Sequence, residues 1–243
     1  MPRPPAPQVK PVPTKGPSGV LIGAVVVLVL ALIAGLVWAV TRDGADLSAE
    51  GSAHALAEGG GVSLGPGPDA DVPQLHIYGD FQCPWCGVLE DAIGESVQEK
   101  VDAGDAHLTI TLMSFLDGRL PGENSVRAAN AALCADDQDA FLPYYRQVYL
   151  NRPAEQGAGW SDEQLVSFAG AAGIGDDDLE TFTSCVQDLT YEDYVHAMQE
   201  RANQDGVSGT PRLFVDGTQI TDEQMQGLME NSLTLDEVIA AHS

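Results

Sequence analysis

The sequence predicts an α/β fold in which a long helical segment separates two groups of strands, with a single transmembrane helix before them. Leu75–Tyr78 is a short apolar run typical of a buried strand, and the alternating apolar residues of His107–Leu116 indicate a second strand. A helix is predicted between these strands, beginning at a pair of cysteines. Residues 123–204 carry mainly helical patterns, and residues 212–220 predict a β-hairpin around an Asp-Gly turn.

Capping residues indicate where several of these helices begin. Ser161, Thr221 and Thr234 each stand three residues before a Gln or Glu, which is the pattern of a capping box. Asp176 and Thr190 also predict helix starts, because their short side chains can accept a hydrogen bond from the first helical turn. The helical segment is therefore expected to consist of several helices.

Composition limits the class of function. The chain has 243 residues, enough for one sizeable domain with appendages, and a formal net charge of −25. All 36 Asp and Glu residues lie from Asp43 onward. So acidic a body would repel phosphates, which argues against nucleic-acid binding.

An uncharged, almost wholly aliphatic run over residues 20–40 predicts a membrane-spanning helix. A helix of this length measures about 31 Å, close to the thickness of the bilayer hydrocarbon core. Residues 1–19 are basic and rich in proline, and are expected to form a disordered tail. A cleaved signal peptide is the alternative, although a small-x-small site occurs only far downstream, at Ala53-His54-Ala55.

The distribution of charge predicts the orientation of the chain. Arg3, Lys10 and Lys15 precede the apolar run without any acidic residue, so the N-terminus is expected in the cytoplasm and the acidic body outside it. This places the cysteines in an oxidising compartment. Residues 41–71, rich in Gly, Ala and Ser, predict a flexible linker, and a folded domain is expected over residues 72–243.

The motif Cys83-Pro84-Trp85-Cys86 lies between a predicted strand and a predicted helix. A cysteine at a helix N-terminus is favoured as a thiolate, and such sites lower the pKa of a cysteine from about 8.5 by one to several units. Pro84 suits the first helical position. The spacing brings the two sulfurs together, so Cys83 is expected to be the exposed attacking thiol and Cys86 the more buried resolving thiol.

Three other interpretations of the cysteine pair are open. A zinc site would need two further ligands, and Cys134, Cys185 and the five histidines show no ligand spacing. A purely structural disulfide would be strained at this spacing. Copper binding by the two thiols is also possible in principle. A CxxC between a strand and a helix is nevertheless a fairly specific signal of redox chemistry.

The sequence Asp80-Phe81-Gln82-Cys83-Pro84-Trp85-Cys86, with Gly209-Thr210-Pro211 far downstream, resembles the DsbA-like thiol–disulfide oxidoreductases, in particular their membrane-anchored branch in high-GC Gram-positive bacteria. The resemblance extends from about Val72 to the C-terminus. It implies a thioredoxin fold with an inserted helical domain at about residues 123–189, preceded here by the transmembrane helix.

The resemblance also implies roles for residues around the cysteines. Thr210 and Pro211 correspond to a cis-proline loop beside the sulfurs, where Thr210 would offer backbone hydrogen bonds to an extended substrate. Many thioredoxin-fold proteins carry a buried acid six residues before the first cysteine, but Ile77 stands there. Asp80 is expected either to relay protons or to cap the helix, and both interpretations are open. Trp85 belongs to the dipeptide that sets the redox potential.

The resemblance implies that Cys134 and Cys185 form a second, structural disulfide. It implies exchange chemistry with exported cysteine-containing proteins that needs no organic cofactor or metal, with re-oxidation by a quinone-linked membrane partner. Donation of disulfides is the favoured direction. The alternatives are an extracytoplasmic reductase or isomerase, and a non-enzymatic copper-binding surface protein.

Overall fold

The computed structural model describes residues 27–33 and 47–242, which belong to two compact units, residues 1–44 and 45–243. In the first unit, residues 27–33 are helical and their large apolar side chains are exposed. Most of the predicted membrane span and the whole N-terminal tail lie outside the described residues. Within the described ranges, no helix combines the length and the apolar character needed to cross a membrane.

The second unit is built on a mixed five-stranded sheet in the order β1-β3-β2-β4-β5. The central pair β2 and β3 is parallel, and all other neighbours are antiparallel. Both predicted strand groups are therefore present in one sheet. The strands are β1 (Val62–Leu64), β2 (Gln74–Gly79), β3 (His107–Leu112), β4 (Arg212–Val215) and β5 (Thr218–Gln219).

Eight α-helices and two short 3-10 turns complete the second unit as far as it is described. Four of the helices, α2 to α5, follow one another between β3 and α6, where a helical segment is predicted. The helices are α1 (Pro84–Ala103), α2 (Asn124–Asp136), α3 (Phe141–Leu150), α4 (Asp162–Ser167), α5 (Leu179–Gln187), α6 (Glu192–Gln204), α7 (Asp222–Met229) and α8 (Leu235–Ala240).

The long helix α1 starts and stops where its sequence dictates. Cys83 is the N-cap in an extended conformation, and Pro84 occupies the first helical position, where a missing N–H costs nothing. The helix ends at Gly104, whose left-handed conformation closes the last turn onto the Lys100 carbonyl. Both α1 and α6 contact β3, which is buried along its whole length, so the sheet carries helices on both faces.

The three predicted capping boxes are confirmed, and two predicted caps are wrong. The side chains of Ser161, Thr221 and Thr234 each accept a hydrogen bond from the backbone N–H three residues on, and the side chain of the Gln or Glu there accepts one from the backbone N–H of the capping residue. Asp176 and Thr190 do not cap, because α5 and α6 begin later and without a side-chain cap. The Thr190 hydroxyl donates to the carbonyl of Cys185 instead.

Part of the predicted linker is folded, so the expectation of a flexible segment over residues 41–71 is wrong for the part that is described. Residues 62–64 form β1, which pairs with β3 through the register Val62 to Ile110. The preceding 3-10 turn, Ala57–Gly59, packs on α6. The folded unit therefore begins before Val72, because this short edge strand extends the sheet by one strand.

The second predicted strand is shorter than expected. It was predicted to continue to Leu116, but β3 ends at Leu112. Beyond that point, the backbone N–H of Ser114 donates to the side chain of Gln199, and that of Leu116 donates to the Asp80 carboxylate. These side-chain acceptors replace the partners that a neighbouring strand would supply, so the chain leaves the sheet towards α2.

Candidate active site

The loop between β2 and α1 places the cysteine pair at the mouth of the helix. The Asp80 carboxylate accepts a hydrogen bond from the Gln82 backbone N–H at 2.9 Å, and the Asp80 carbonyl accepts one from the Cys83 N–H, also at 2.9 Å. The turn brings Cys83 to the N-cap. Cys86 then lies one turn into α1, where its N–H donates to the Cys83 carbonyl at 3.1 Å.

The cis-proline segment reaches this site from the other end of the chain. The Thr210-Pro211 peptide bond is cis, and Cys83 Sγ lies 3.5 Å from the Thr210 carbonyl oxygen, although 127 residues separate them in sequence. Pro211 also lines a small cavity with Cys86. The structure thus brings together the cysteine motif and the downstream Thr-Pro pair that the sequence singled out.

Both thiols are free and both are buried, which differs from the expectation of an exposed Cys83. Cys83 is 7% exposed and Cys86 is 3% exposed. The order is as expected, but the difference is small. Reactivity in this pair therefore depends on hydrogen bonding and charge more than on exposure.

The surroundings shift the pKa values of the two thiols in opposite directions. A hydrogen bond from the Cys86 side chain is the main cause that lowers the pKa of Cys83 to about 6, assisted by Thr210 and by the backbone N–H groups of Cys86 and Trp85 against the cost of burial. Burial raises the pKa of Cys86 well above its ordinary value, and the Cys83 side chain raises it further. Cys83 is therefore the thiolate of the pair.

Asp80 organises the loop and does not cap α1. Its carboxylate accepts hydrogen bonds from the backbone N–H groups of Gln82 and Leu116 and from the Ser125 hydroxyl, and none from α1. The side chain is fully buried, and burial raises its pKa to about 7. Of the two open interpretations, capping is wrong and proton relay stays a prediction.

A second acid, not predicted from the sequence, lies near the resolving cysteine. Glu90 lines a cavity of about 10 Å³ together with Cys86, Tyr145 and Pro211, a space at the lower limit for one water molecule. Burial raises the pKa of Glu90 to about 7, which Arg146 partly opposes. The signal was present in the spacing, because a residue four positions after Cys86 lies on the same face of the helix.

Trp85 is the exposed member of the motif. Its side chain is 63% exposed, so the indole faces solvent beside the buried sulfurs. Its backbone N–H, and not its ring, acts on the Cys83 thiol. Trp85 therefore presents an apolar surface next to the reactive cysteine.

The remaining two cysteines are joined in a disulfide, Cys134–Cys185, which ties α2 to α5. In residues 27–33 and 47–242, no group of three or more His, Cys, Asp or Glu side chains is arranged to hold a metal ion. The disulfide lies within the helical segment between β3 and α6. This position favours the structural role that the resemblance implies for the disulfide.

Comparison with known proteins agrees with this geometry. Residues 60–233 match the family model described as Thioredoxin. The chain is 26% identical over 194 residues to the probable disulfide bond formation protein D of Bacillus anthracis, covering 79% of this chain and 84% of that protein.

Two solved structures share the fold. One is the MdbA protein, a thiol–disulfide oxidoreductase from Corynebacterium diphtheriae, with a TM-score of 0.59, 21% identity, and coverage of 79% of this chain and 96% of that one. The other is the MdbA protein from Actinomyces oris, with a TM-score of 0.63, 17% identity, and coverage of 75% and 93%. The family match covers well over half of the sequence. The chain therefore belongs to the thioredoxin family, and its fold is that of the two thiol–disulfide oxidoreductase structures described above.

Proposed function

We propose that this protein donates disulfides to exported proteins through Cys83 and Cys86. The observation that carries the proposal is the opposite shift of the two thiol pKa values, lowered for Cys83 and raised for Cys86. With a pKa of about 6, about nine-tenths of Cys83 is thiolate at pH 7. A stabilised thiolate favours the reduced form of the pair, so the disulfide form becomes a strong oxidant.

The reaction proceeds by two exchanges. A thiolate of the substrate attacks Cys83 Sγ in the Cys83–Cys86 disulfide, the S–S bond breaks, and Cys86 leaves and takes up a proton. A second substrate thiolate then attacks the substrate sulfur of the mixed disulfide and releases the Cys83 thiolate. The substrate gains one disulfide, and its two electrons reside on the cysteine pair.

Proton transfer at the buried cysteine has two candidate partners. Cys86 is nearly fully buried, so its sulfur requires a proton when it leaves and must lose that proton when it attacks. Glu90 shares a cavity with Cys86, and Asp80 begins the turn that leads to the pair. The pKa of each acid is about 7, a value suited to accepting and returning protons near neutral pH.

The catalytic unit acts outside the cytoplasm and is re-oxidised there. The basic segment before residue 20 and the apolar run over residues 20–40 support a single-pass anchor, with the N-terminus in the cytoplasm and the catalytic unit outside. Turnover needs an acceptor for the two electrons left on the cysteines. The resemblance of the Asp80–Cys86 and Gly209–Pro211 motifs to the DsbA-like family supports a quinone-linked membrane protein in that role.

The reduction potential of the Cys83–Cys86 pair tests the direction of exchange. The full chain in detergent is equilibrated with glutathione buffers, and the fraction of free thiol is measured by alkylation. A disulfide donor should have a potential between roughly −120 and −200 mV, whereas a value near −270 mV would indicate a reductase.

A matched pair of variants tests the assignment of the cysteines. Cys83→Ser should abolish oxidation of a reduced substrate protein. Cys86→Ser cannot form the active-site disulfide and should also fail to oxidise it, but its Cys83 thiolate should attack an oxidised substrate, release one substrate thiolate and remain in a mixed disulfide that no Cys86 thiol resolves. Oxidation that continues in Cys83→Ser would exclude the proposed role of this residue.

A further inference from the structure

The folded unit holds few basic residues, and most of them have acidic partners. Seven of the chain's 11 Lys and Arg residues lie after Gly44, against 35 of its 36 Asp and Glu residues. Four of the seven form ion pairs: Lys100 with Asp236, Arg127 with Asp162, Arg152 with Asp91, and Arg201 with Asp205. Arg146 partly opposes the raised pKa of the buried Glu90. Only Arg119 and Arg212 remain, and within residues 27–33 and 47–242 neither forms an ion pair, which is unexpected in so acidic a unit.

Arg212 lies directly after the cis-proline, and its side chain is partly exposed. Its guanidinium Nη1 donates to the Pro211 carbonyl at 3.0 Å, and Nη2 lies 4.0 Å from the point that a Cβ on Gly209 would occupy. The charged group therefore lies against the backbone on either side of Thr210. The Thr210 carbonyl oxygen is itself 3.5 Å from Cys83 Sγ, so this positive charge borders the reactive sulfur.

The topology of the sheet brings Arg119 to the same edge. Because β2 and β3 are parallel and β4 runs against β2, the ends of β2 and β3 and the start of β4 lie together. Directly opposite residues share a face of a sheet, so Arg212 lies on the face of Tyr78, its partner in register. Phe115, just after β3, packs against the apolar cluster that contains Tyr78. The Arg119 guanidinium carbon lies 5.2 Å from the centre of the Phe115 ring.

The acidic side chains of this region have other partners. Asp205 is paired with Arg201 and accepts a hydrogen bond from the Tyr78 hydroxyl at 3.1 Å. Asp117, two residues before Arg119, accepts hydrogen bonds from three N–H groups of neighbouring residues. Glu155 lines a cavity beside the cysteine motif whose walls include neither the cis-proline loop nor the two arginines. A guanidinium has five N–H donors, and Arg212 uses one of them within the described residues, so it can bind an external anion.

We propose that Arg212, assisted by Arg119, binds an acidic side chain of the substrate close to the cysteine that reacts with Cys83. The occupant of this edge is a polypeptide, and a carboxylate accepts two parallel N–H bonds from a guanidinium. At physiological salt, charges more than about 8 Å apart are largely screened, so the nearby arginines outweigh the distant acids of the unit. The inference rests on the proposed function, because it needs an extended substrate beside Thr210. Arg212 determines specificity and takes no part in the exchange.

Two dithiol peptides of identical composition test this preference independently of net charge. In one, Glu residues flank the attacking cysteine and Gln residues stand at the far end, and in the other these positions are exchanged. Reaction with glutathione disulfide corrects for the intrinsic reactivity of each peptide. The oxidised full chain in detergent should oxidise the first peptide with a corrected kcat/KM about two to five times that of the second, the gain expected from one partly exposed ion pair.

Salt provides a second measurement on the same unaltered chain. The preference should largely disappear at about 1 M salt, where the screening length falls to about 3 Å. Equal values for the two peptides at physiological salt would overturn the role of the arginines while the proposed function stands. If neither peptide is oxidised, both proposals fail.

Charge-changing variants assign the preference to Arg212. Arg212→Gln should weaken it and Arg212→Glu should abolish it, because the second change places a like charge beside the substrate carboxylate. Lys100→Gln removes one positive charge in the last turn of α1 and is the matched control, which should keep the preference. An undiminished preference in folded Arg212→Glu would contradict the assignment. The peptide comparison on the unaltered chain keeps the test decisive if the variant does not fold.

Discussion

At the residue scale, the site is defined by two nearby thiols whose pKa values are shifted in opposite directions. Cys83 and Cys86 are both buried, yet hydrogen bonds lower the pKa of the first and burial raises that of the second. Two acids with raised pKa values, Asp80 and Glu90, lie close to the pair. Burial is the main cause of both shifts, because ionising a carboxyl group that is shielded from water costs stability.

Glu90→Gln should make the protein more stable at alkaline pH. Because the pKa of Glu90 is raised by folding, its contribution is fully present below the pKa of the unfolded chain and is lost as the pH rises towards about 7. Replacing the carboxyl removes this loss. Urea unfolding of the oxidised protein should show a gain on the order of 1–3 kcal/mol at pH 8 and little change at pH 4.

The matched control is Glu95→Gln, on the exposed side of the same helix. It should change the free energy of unfolding by less than about 0.5 kcal/mol at either pH. A Glu90→Gln protein that is no more stable than the control at pH 8 would show that Glu90 is not held in the unfavourable environment described here.

At the element scale, a glycine-rich segment that is typical of a linker proves to be part of the fold. Gly59 has a φ of +67° and passes so close to α6 that a Cβ would lie 2.4 Å from the Ala197 carbonyl oxygen. Gly61 has a φ of +98°, and a Cβ there would lie 2.5 Å from the Ile110 carbonyl oxygen. These glycines allow backbone to pack on backbone, which lets the short strand β1 join the sheet.

Gly59→Ala should destabilise the protein much more than Gly67→Ala. Both glycines have left-handed φ values, +67° and +64°, but a Cβ at Gly67 meets nothing within 4 Å. Strain in the backbone alone costs about 1–2 kcal/mol, whereas the clash at Gly59 should raise the total to about 3 kcal/mol or more. Urea unfolding measures both. Equal losses would mean that residues 57–59 do not pack on α6.

The residue patterns predicted most of these elements, and the failures have physical causes. The strand Leu75–Tyr78, the helix after the cysteines, the hairpin and the capping boxes at Ser161, Thr221 and Thr234 carry strong local signals, and all are present. β1 was missed because a three-residue strand between glycines has no periodicity to detect. The end of β3 was misplaced because its last hydrogen bonds go to distant side chains, which no local pattern records.

At the scale of the whole molecule, the chain joins an acidic redox unit to an apolar N-terminal segment. The resemblance, which is based on two short motifs, predicted the DsbA-like fold. It also predicted that Thr210 lies beside Cys83, although the two are 127 positions apart in the sequence. It did not predict the position of Glu90 or the lack of an ion pair at Arg212 among the described residues, because both depend on which side chains meet in three dimensions. A second long-range link, Cys134–Cys185, constrains the helical segment.

Removing that disulfide should weaken the fold without abolishing exchange. The bridge spans a sequence separation of 51, for which the chain-entropy model gives about 4 kcal/mol as an upper estimate. The double variant Cys134→Ala, Cys185→Ala should lose about 2–4 kcal/mol of unfolding free energy and still oxidise a substrate at ordinary temperature. A folded double variant without activity would place this pair in the redox chemistry and contradict its separation from the Cys83 site.

Folding makes Cys83 acidic, and titration of its thiolate measures this acidity. The ultraviolet absorbance of the reduced full chain in detergent is followed against pH and compared with that of Cys83→Ser. We expect a transition with a midpoint near pH 6 that is absent from the variant. A midpoint close to that of a free cysteine, about 8.5, or a transition that persists in Cys83→Ser, would contradict it.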